Sequence, residues 1–197
     1  MTARKTEITR ADIISMEEYG RQRAERRKAL VEVKKNRRVS VGPYATFYFE
    51  NYETMWQQIH EMLFIEKGGE EQIADELRAY NPLIPKGSEL VATVMFEIDN
   101  PVQRQTFLSR LGGVEEAMEL RFAGHTVKAR PEGDVERTNE AGKASSVHFM
   151  HFDFTPEQIV AFRTPGTEVL VAIAHPDYGH MAVMPEAVRA ALAADFA

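Results

Sequence analysis

The stretch SSVHFMHFDF, Ser145 to Phe154, gathers the residue types best able to do chemistry: His148 and His151, three apart, with Asp153 two further on. On a helix that spacing would turn both imidazoles to one side, as helical metal motifs require. The interleaved Val, Phe and Met residues read instead as a strand, where successive side chains take opposite faces. Ser146, His148, Met150, Phe152 and Phe154 then share one side, and Val147, Phe149, His151 and Asp153 the other. The two rings point apart. His151 with Asp153 gives two ligands where a zinc site needs three or four, so no metal is expected and the two read as a solvent-side pair. His148 lies among Met and Phe. It is either a core histidine with one hydrogen bond or a neutral, titratable group in an apolar wall.

Two further groups carry chemical potential. In HPDYGH, His175 ends an apolar run, and His175, Asp177 and Tyr178 offer base, acid and donor within four positions. The same letters are ordinary turn chemistry. The second group lies near the N-terminus, where a helical stripe from Ile13 through Met16 and Gly20 runs onto Arg23 and Arg27. Arginines on an inward stripe must snorkel, pair with carboxylates or hold an anion. The anion reading sets Arg23 and Arg27 across a pocket from Arg38, Tyr48 and Glu50, with His148 and His175 as further candidate ligand-binding residues. The internal reading pairs Arg38 with Glu50 and sends the other arginines to carboxylates elsewhere. His60, one turn after Trp56, reads as packing. No catalytic residue is assigned, and whether the chain is an enzyme stays open.

The elements that must position these groups follow from periodicity. Ser15, with Glu18 three residues later, predicts a capping box and a long helix from Met16 to Asn36. RRVSVGPYATFYFEN predicts two short strands about a Gly-Pro turn, with Val39, Val41, Ala45, Phe47 and Phe49 inward. Tyr52, Trp56, Ile59 and Leu63, then Ile73, Leu77 and Tyr80, mark two helices separated by Gly68-Gly69. ELVATVMFEI reads as a strand buried on both faces, followed by a helix over Val102 to Leu111. A hairpin is predicted around Ala123-Gly124, a mobile loop over 131–143, a short helix from Thr155-Pro156, and the strand EVLVAIA. A final helix places Val188, Leu192 and Phe196 inward. Residues 1–14 form a flexible or briefly helical lead-in. The sum is a single α+β domain over 1–197, with a largely antiparallel sheet, a long N-terminal helix and several packing helices.

Composition bounds the function. With 197 residues, 44% apolar and 27% charged, the chain can bury a full core. Its apolar runs, such as Leu90 to Phe96, fall far short of the ~20 residues a bilayer span needs, so no membrane partner is expected. MTARKTEITR lacks the apolar stretch of a signal peptide, and the expected location is the cytoplasm. There is no cysteine, which excludes disulfides, thiol nucleophiles and cysteine-ligated clusters; the cofactor is otherwise open. Between Arg21 and Arg38 stand nine basic and two acidic residues, in a chain of net charge −6. In an acidic chain such a run reads as a solvated helix face rather than a nucleic-acid site. No phosphate loop, dinucleotide fingerprint, Gly-x-Ser-x-Gly or Glu-x-x-His is present.

RRVSVGPYATFYFEN, TMWQQIHEML, YNPLIP, RLGGVE, SSVHF and HPDY occur in this order over nearly the whole chain. As a set they resemble a bacterial family defined by domain of unknown function 3501. The second histidine of HFMHFDF, His151, stands outside that family's pattern. The resemblance implies a cytoplasmic bacterial protein of this length but supplies no catalytic residues. Genes of the family often lie beside those for rubrerythrin and an iron–sulfur oxidoreductase, which implies a tie to redox metabolism or peroxide defence. The resulting expectation is a non-catalytic accessory or binding protein with a redox-protein partner, self-association being open. The alternative is an enzyme or receptor for a small carboxylate or phosphate metabolite.

Overall fold

In the computed structural model, residues 5–133, 138 and 143–197 are described, so the loop expected over 131–143 falls largely outside them. Ser15 caps helix α1 (Met16–Lys35), its hydroxyl accepting the Glu18 N–H at 3.2 Å. The expected capping box is not completed, because the Glu18 carboxylate turns outward to Arg21 and Gln22. Strands β1 (Arg38–Val41) and β2 (Ala45–Phe49) follow, and pair antiparallel with Val39 opposite Phe47 and Val41 opposite Ala45. All five inward residues predicted there are buried.

Helices α2 (Tyr52–Glu66) and α3 (Gly69–Tyr80) come next, then β3 (Glu89–Phe96) and α4 (Pro101–Leu108), shorter than its predicted span. Strands β4 (Met118–Phe122) and β5 (His125–Pro131) form the expected hairpin. Ala123 and Gly124 both take positive φ there (46° and 77°), the geometry that matches a two-residue turn to strand twist. Then come β6 (Val147–Asp153), α5 (Pro156–Arg163), β7 (Val169–His175), β8 (Tyr178–Val183) and α6 (Glu186–Ala193).

The eight strands make one sheet in the order β1-β2-β3-β6-β5-β4-β7-β8, antiparallel at every pairing and curled into a nearly closed barrel. Alternation sends Phe47, Phe49, Leu90, Val94, Met150 and Phe152 into the interior. On the outer face, Val91 and Phe149 meet Met55, Ile59, Leu63, Ile73, Leu83 and Ile84 from the helices, a second apolar cluster. Strand β3 therefore has a core on each side, which is why its sequence is apolar without alternation.

The seam between β1 and β8 is closed by side chains. At one end the Tyr178 hydroxyl donates to the Val41 carbonyl (2.8 Å) and accepts from the N–H groups of Tyr44 (2.9 Å) and Ala45 (3.0 Å). Gly42 fits beneath it: its φ is +68°, and a Cβ there would lie 2.6 Å from the His180 ring. Just before β1, Arg37 is ion-paired with Asp195, which follows α6; both are buried, and Arg37 also reaches the carbonyls of Phe49 and Glu50 at 2.9 Å.

The lead-in is pinned. Ile8 exchanges two hydrogen bonds with the Asn81 side chain (2.8 and 2.9 Å), and Trp56 Nε1–H donates to the Asp12 carbonyl at 2.9 Å. Among its described residues, Arg10–Asp12 form one 3-10 turn.

Candidate functional site

Helix α1 meets α2 through Tyr19, its sole buried residue. The Tyr19 hydroxyl donates to Glu61 Oε1 at 2.7 Å and accepts from Gln57. Burial first, and the Glu61 carboxylate second, push this phenol above its ordinary pKa. Gly20 lets α2 approach, since a Cβ there would sit 3.1 Å from the Phe64 ring. Arg23 completes the junction, holding both Glu61 oxygens at 2.9 and 2.8 Å over the Phe64 ring. Those bonds bring the Glu61 pKa down to about 2.

Beyond this junction the two helices part. From Ala24 onward only Arg26, Leu30 and Val33 of α1 are shielded, at helical spacing, and the rest is exposed. Between that stripe and α2 lies a cleft of about 410 Å³, walled by Ala29, Leu30 and Val33 on one side and Tyr52, Glu53 and Trp56 on the other. Lys5 and Asp12, an ion pair, close one end. The Arg26 guanidinium lies 4.4 Å from the Trp56 ring centroid, and its Nε donates to neutral Gln22 at 2.7 Å. Among the described residues neither Arg26 nor Glu53 has an ion-pair partner. Trp56 is held rigidly: it stacks on His60 at 3.7 Å and hydrogen-bonds Asp12. His60 is fully buried. Its Nδ1–H donates to the Trp56 carbonyl at 2.7 Å and its Nε2 accepts from Ile14 N–H at 3.2 Å, which defines the neutral tautomer. Burial brings its pKa down to about 4.

A larger cavity of about 550 Å³ lies on the other flank of the lead-in, lined by Ile13, Met16, Leu63, Phe64 and Ile73 with Arg10 and Lys67 at its rim. Its arginine is already neutralised, because Arg10 grips Glu70 through two bonds, and its Lys67 is exposed where Arg26 is partly shielded. The smaller cleft is the better recognition site for that reason.

The other residues singled out in the sequence are dispersed. Arg27 is exposed one turn beyond Arg23, where its charge adds to the lowering of the Glu61 pKa without a direct ion pair. Arg38 lies opposite Tyr48 in the strand register, and the Tyr48 hydroxyl donates to Glu97 at 2.9 Å. Glu50 is buried and accepts from Thr93 at 2.7 Å instead of pairing with Arg38. Fully buried His148 donates from Nε2 to the Ser145 carbonyl at 2.9 Å, edge-on to Phe96. His175 joins the turn after β7 to the loop after α4: Nδ1 accepts from Asp177 N–H and Nε2 donates to the Gly112 carbonyl, both at 3.2 Å.

His148 and His151 do point to opposite faces, but the solvent-side pairing of His151 with Asp153 does not hold. Asp153 bonds Arg130 at 3.1 Å, while His151, 5% exposed, sits between Glu89 (Nδ1, 2.9 Å) and Glu132 (Nε2, 2.6 Å). With a carboxylate at each nitrogen, both nitrogens carry protons. Burial alone would lower the pKa of this ring; the two carboxylates outweigh it and hold it above the ordinary value. An imidazolium has no lone pair for a metal. Among the described residues no group of three or more His, Asp or Glu is arranged to hold one.

Arg26, Tyr19 and the carboxylates around His151 escaped the sequence reading. The stripe Tyr19, Arg23, Arg26, Leu30, Val33 runs at spacings of four and three and was available as a signal. The stripe counted from Ile13, which precedes the helix, shares Arg23 and Leu30 with it and takes Gly20 and Arg27 in place of Tyr19 and Arg26.

No curated protein matches the chain. A crystal structure of a novel protein of unknown function from Burkholderia pseudomallei K96243 is similar over 96% of this chain and 99% of that one, with 36% identity and a TM-score of 0.89. Residues 7–196 match the family model described as "Protein of unknown function (DUF3501)", and the chain belongs to that family.

Proposed function

We propose that the protein is a binding protein whose receptor site is the α1–α2 cleft, taking a small organic anion with an apolar body. The observation that carries this reading is Arg26: a partly shielded cation, stacked on a rigid indole, on an apolar cleft of about 410 Å³, with no carboxylate partner among the described residues. Apolar walls with a few convergent polar groups are the general form of small-ligand sites. A guanidinium matches a carboxylate or phosphate in two parallel bonds.

Trp56 is the single tryptophan of the chain, so its emission reports on this cleft alone. Titration with millimolar branched or aromatic carboxylates is expected to change that emission saturably and to raise the melting temperature, as a ligand of the native state must. Arg26→Met keeps the apolar stem and removes the charge; it is expected to abolish both responses with far-UV circular dichroism unchanged. No response to any carboxylate or phosphate ends this reading.

A second reading, implied by the family, is partnership with an iron-containing redox protein. What supports it is the basic exposed surface of α1, where Lys28 and Lys34 make no ion pair among the described residues. An acidic surface would dock there in a salt-sensitive complex. Native-extract capture that retains no iron protein at low salt, or retention unchanged by Lys28→Glu/Lys34→Glu, argues against it.

A further inference from the structure

The cleft offers a second charge besides Arg26. Glu53 lies on the α2 wall, three residues and about one helical turn before Trp56, over whose ring Arg26 lies. The other two charges of the cleft, Lys5 and Asp12, satisfy each other, and Lys5 also leans over the Tyr52 ring at 5.5 Å. What remains is one cation and one carboxylate without ion-pair partners among the described residues, on opposite helices of the same cleft, which Ala29, Leu30 and Val33 also line.

Resting on the small-anion reading, we infer that the ligand is an apolar α-amino acid bound as its zwitterion. Its carboxylate meets Arg26, its ammonium meets Glu53, and its side chain lies against Leu30 and Val33. A simple carboxylate would leave Glu53 unmatched and, close to it, mildly repelled. A simple amine would leave Arg26 unmatched. Only a molecule carrying both charges together with an apolar branch uses all three features. Ala29, Leu30 and Val33 give the aliphatic side chain an apolar wall, where it loses water without displacing a polar partner.

The test uses the full chain and three isosteric probes read by Trp56 emission: L-leucine, 4-methylpentanoate and 3-methylbutylamine. Leucine is expected to bind roughly fivefold or more tightly than 4-methylpentanoate at low ionic strength, the size of one partly screened charge pair. The amine is expected to give no saturable signal. Glu53→Gln is expected to remove leucine's advantage, weakening leucine and modestly strengthening 4-methylpentanoate as the repulsion is lifted, and its circular dichroism reports that the fold is intact. Equal binding of leucine and 4-methylpentanoate overturns the zwitterion and leaves the anion site standing. A Trp56 signal from none of the three, or a signal from the amine matching that of leucine, overturns the zwitterion, and the anion reading is then decided by its own titration with aromatic carboxylates and phosphates.

Discussion

His151 and His60 illustrate how two buried imidazoles in one chain acquire opposite charges. His60 has a carbonyl on one nitrogen and an N–H on the other, an arrangement that only the neutral ring satisfies. His151 has a carboxylate on each, satisfied only by the imidazolium. The signs of their pH effects differ accordingly. Relative to an unfolded pKa of ~6.5, the raised His151 contributes stability that is complete below that value and is lost as pH rises through the folded pKa. The lowered His60 contributes stability that is present above ~6.5 and is lost as pH falls towards about 4. The urea midpoint should therefore decline on both sides of neutrality. His151→Gln is expected to flatten the alkaline limb alone, and an NMR titration placing His151 at or below the ordinary histidine value contradicts the assignment. The parity that separates His148 from His151 was legible in ten residues. The partners of His151 were not, since Glu89 lies 62 positions away and no local pattern announces it.

Element boundaries in this chain follow local rules and element phases do not. Ser15, Asn51, Asn100 and Thr155 each cap the helix that follows, accepting backbone N–H groups, so helix starts could be read from sequence. Phase is a tertiary property. Which side of α1 is inward was decided by Tyr19 meeting Glu61 and by Gly20 admitting Phe64, neither of which is visible in an arginine-rich helix with one buried residue. The same limit applies to β8, where HPDYGH invited a catalytic reading. Tyr178 instead fastens the edge of β8 to the β1–β2 turn through three backbone groups. Tyr178→Phe strands those groups without changing the packed ring and is expected to cost about 2 kcal/mol. Hydrogen exchange at the Tyr44 and Ala45 amides should accelerate well beyond the global change. Exchange at those two amides unaltered relative to the rest of the sheet would show that the seam does not depend on the hydroxyl.

At the scale of the molecule, the helical layer and the barrel are two cores that share one wall, because β3 and β6 send Leu90, Val94 and Met150 to one side and Val91 and Phe149 to the other. Neither face can be exposed without stripping the other's floor, so the chain should unfold as one unit. Arg37 and Asp195 join its two ends across 158 positions, a link for which the sequence offers no hint beyond two ordinary charges. Their pair is buried, with Arg37 also holding the carbonyls that lead from β2 into α2. Asp195→Ala leaves that guanidinium buried without its counter-charge, a change that costs roughly 3–5 kcal/mol in such settings. The loss should appear equally in both layers. Trp56 emission, which sees only the helices, and far-UV circular dichroism, which sees the whole chain, are expected to give the same lowered urea midpoint in the variant as they coincide in the wild type. A Trp56 transition that stays in place while the circular dichroism midpoint falls would mean that the helices, and with them the ligand cleft, stand without the barrel.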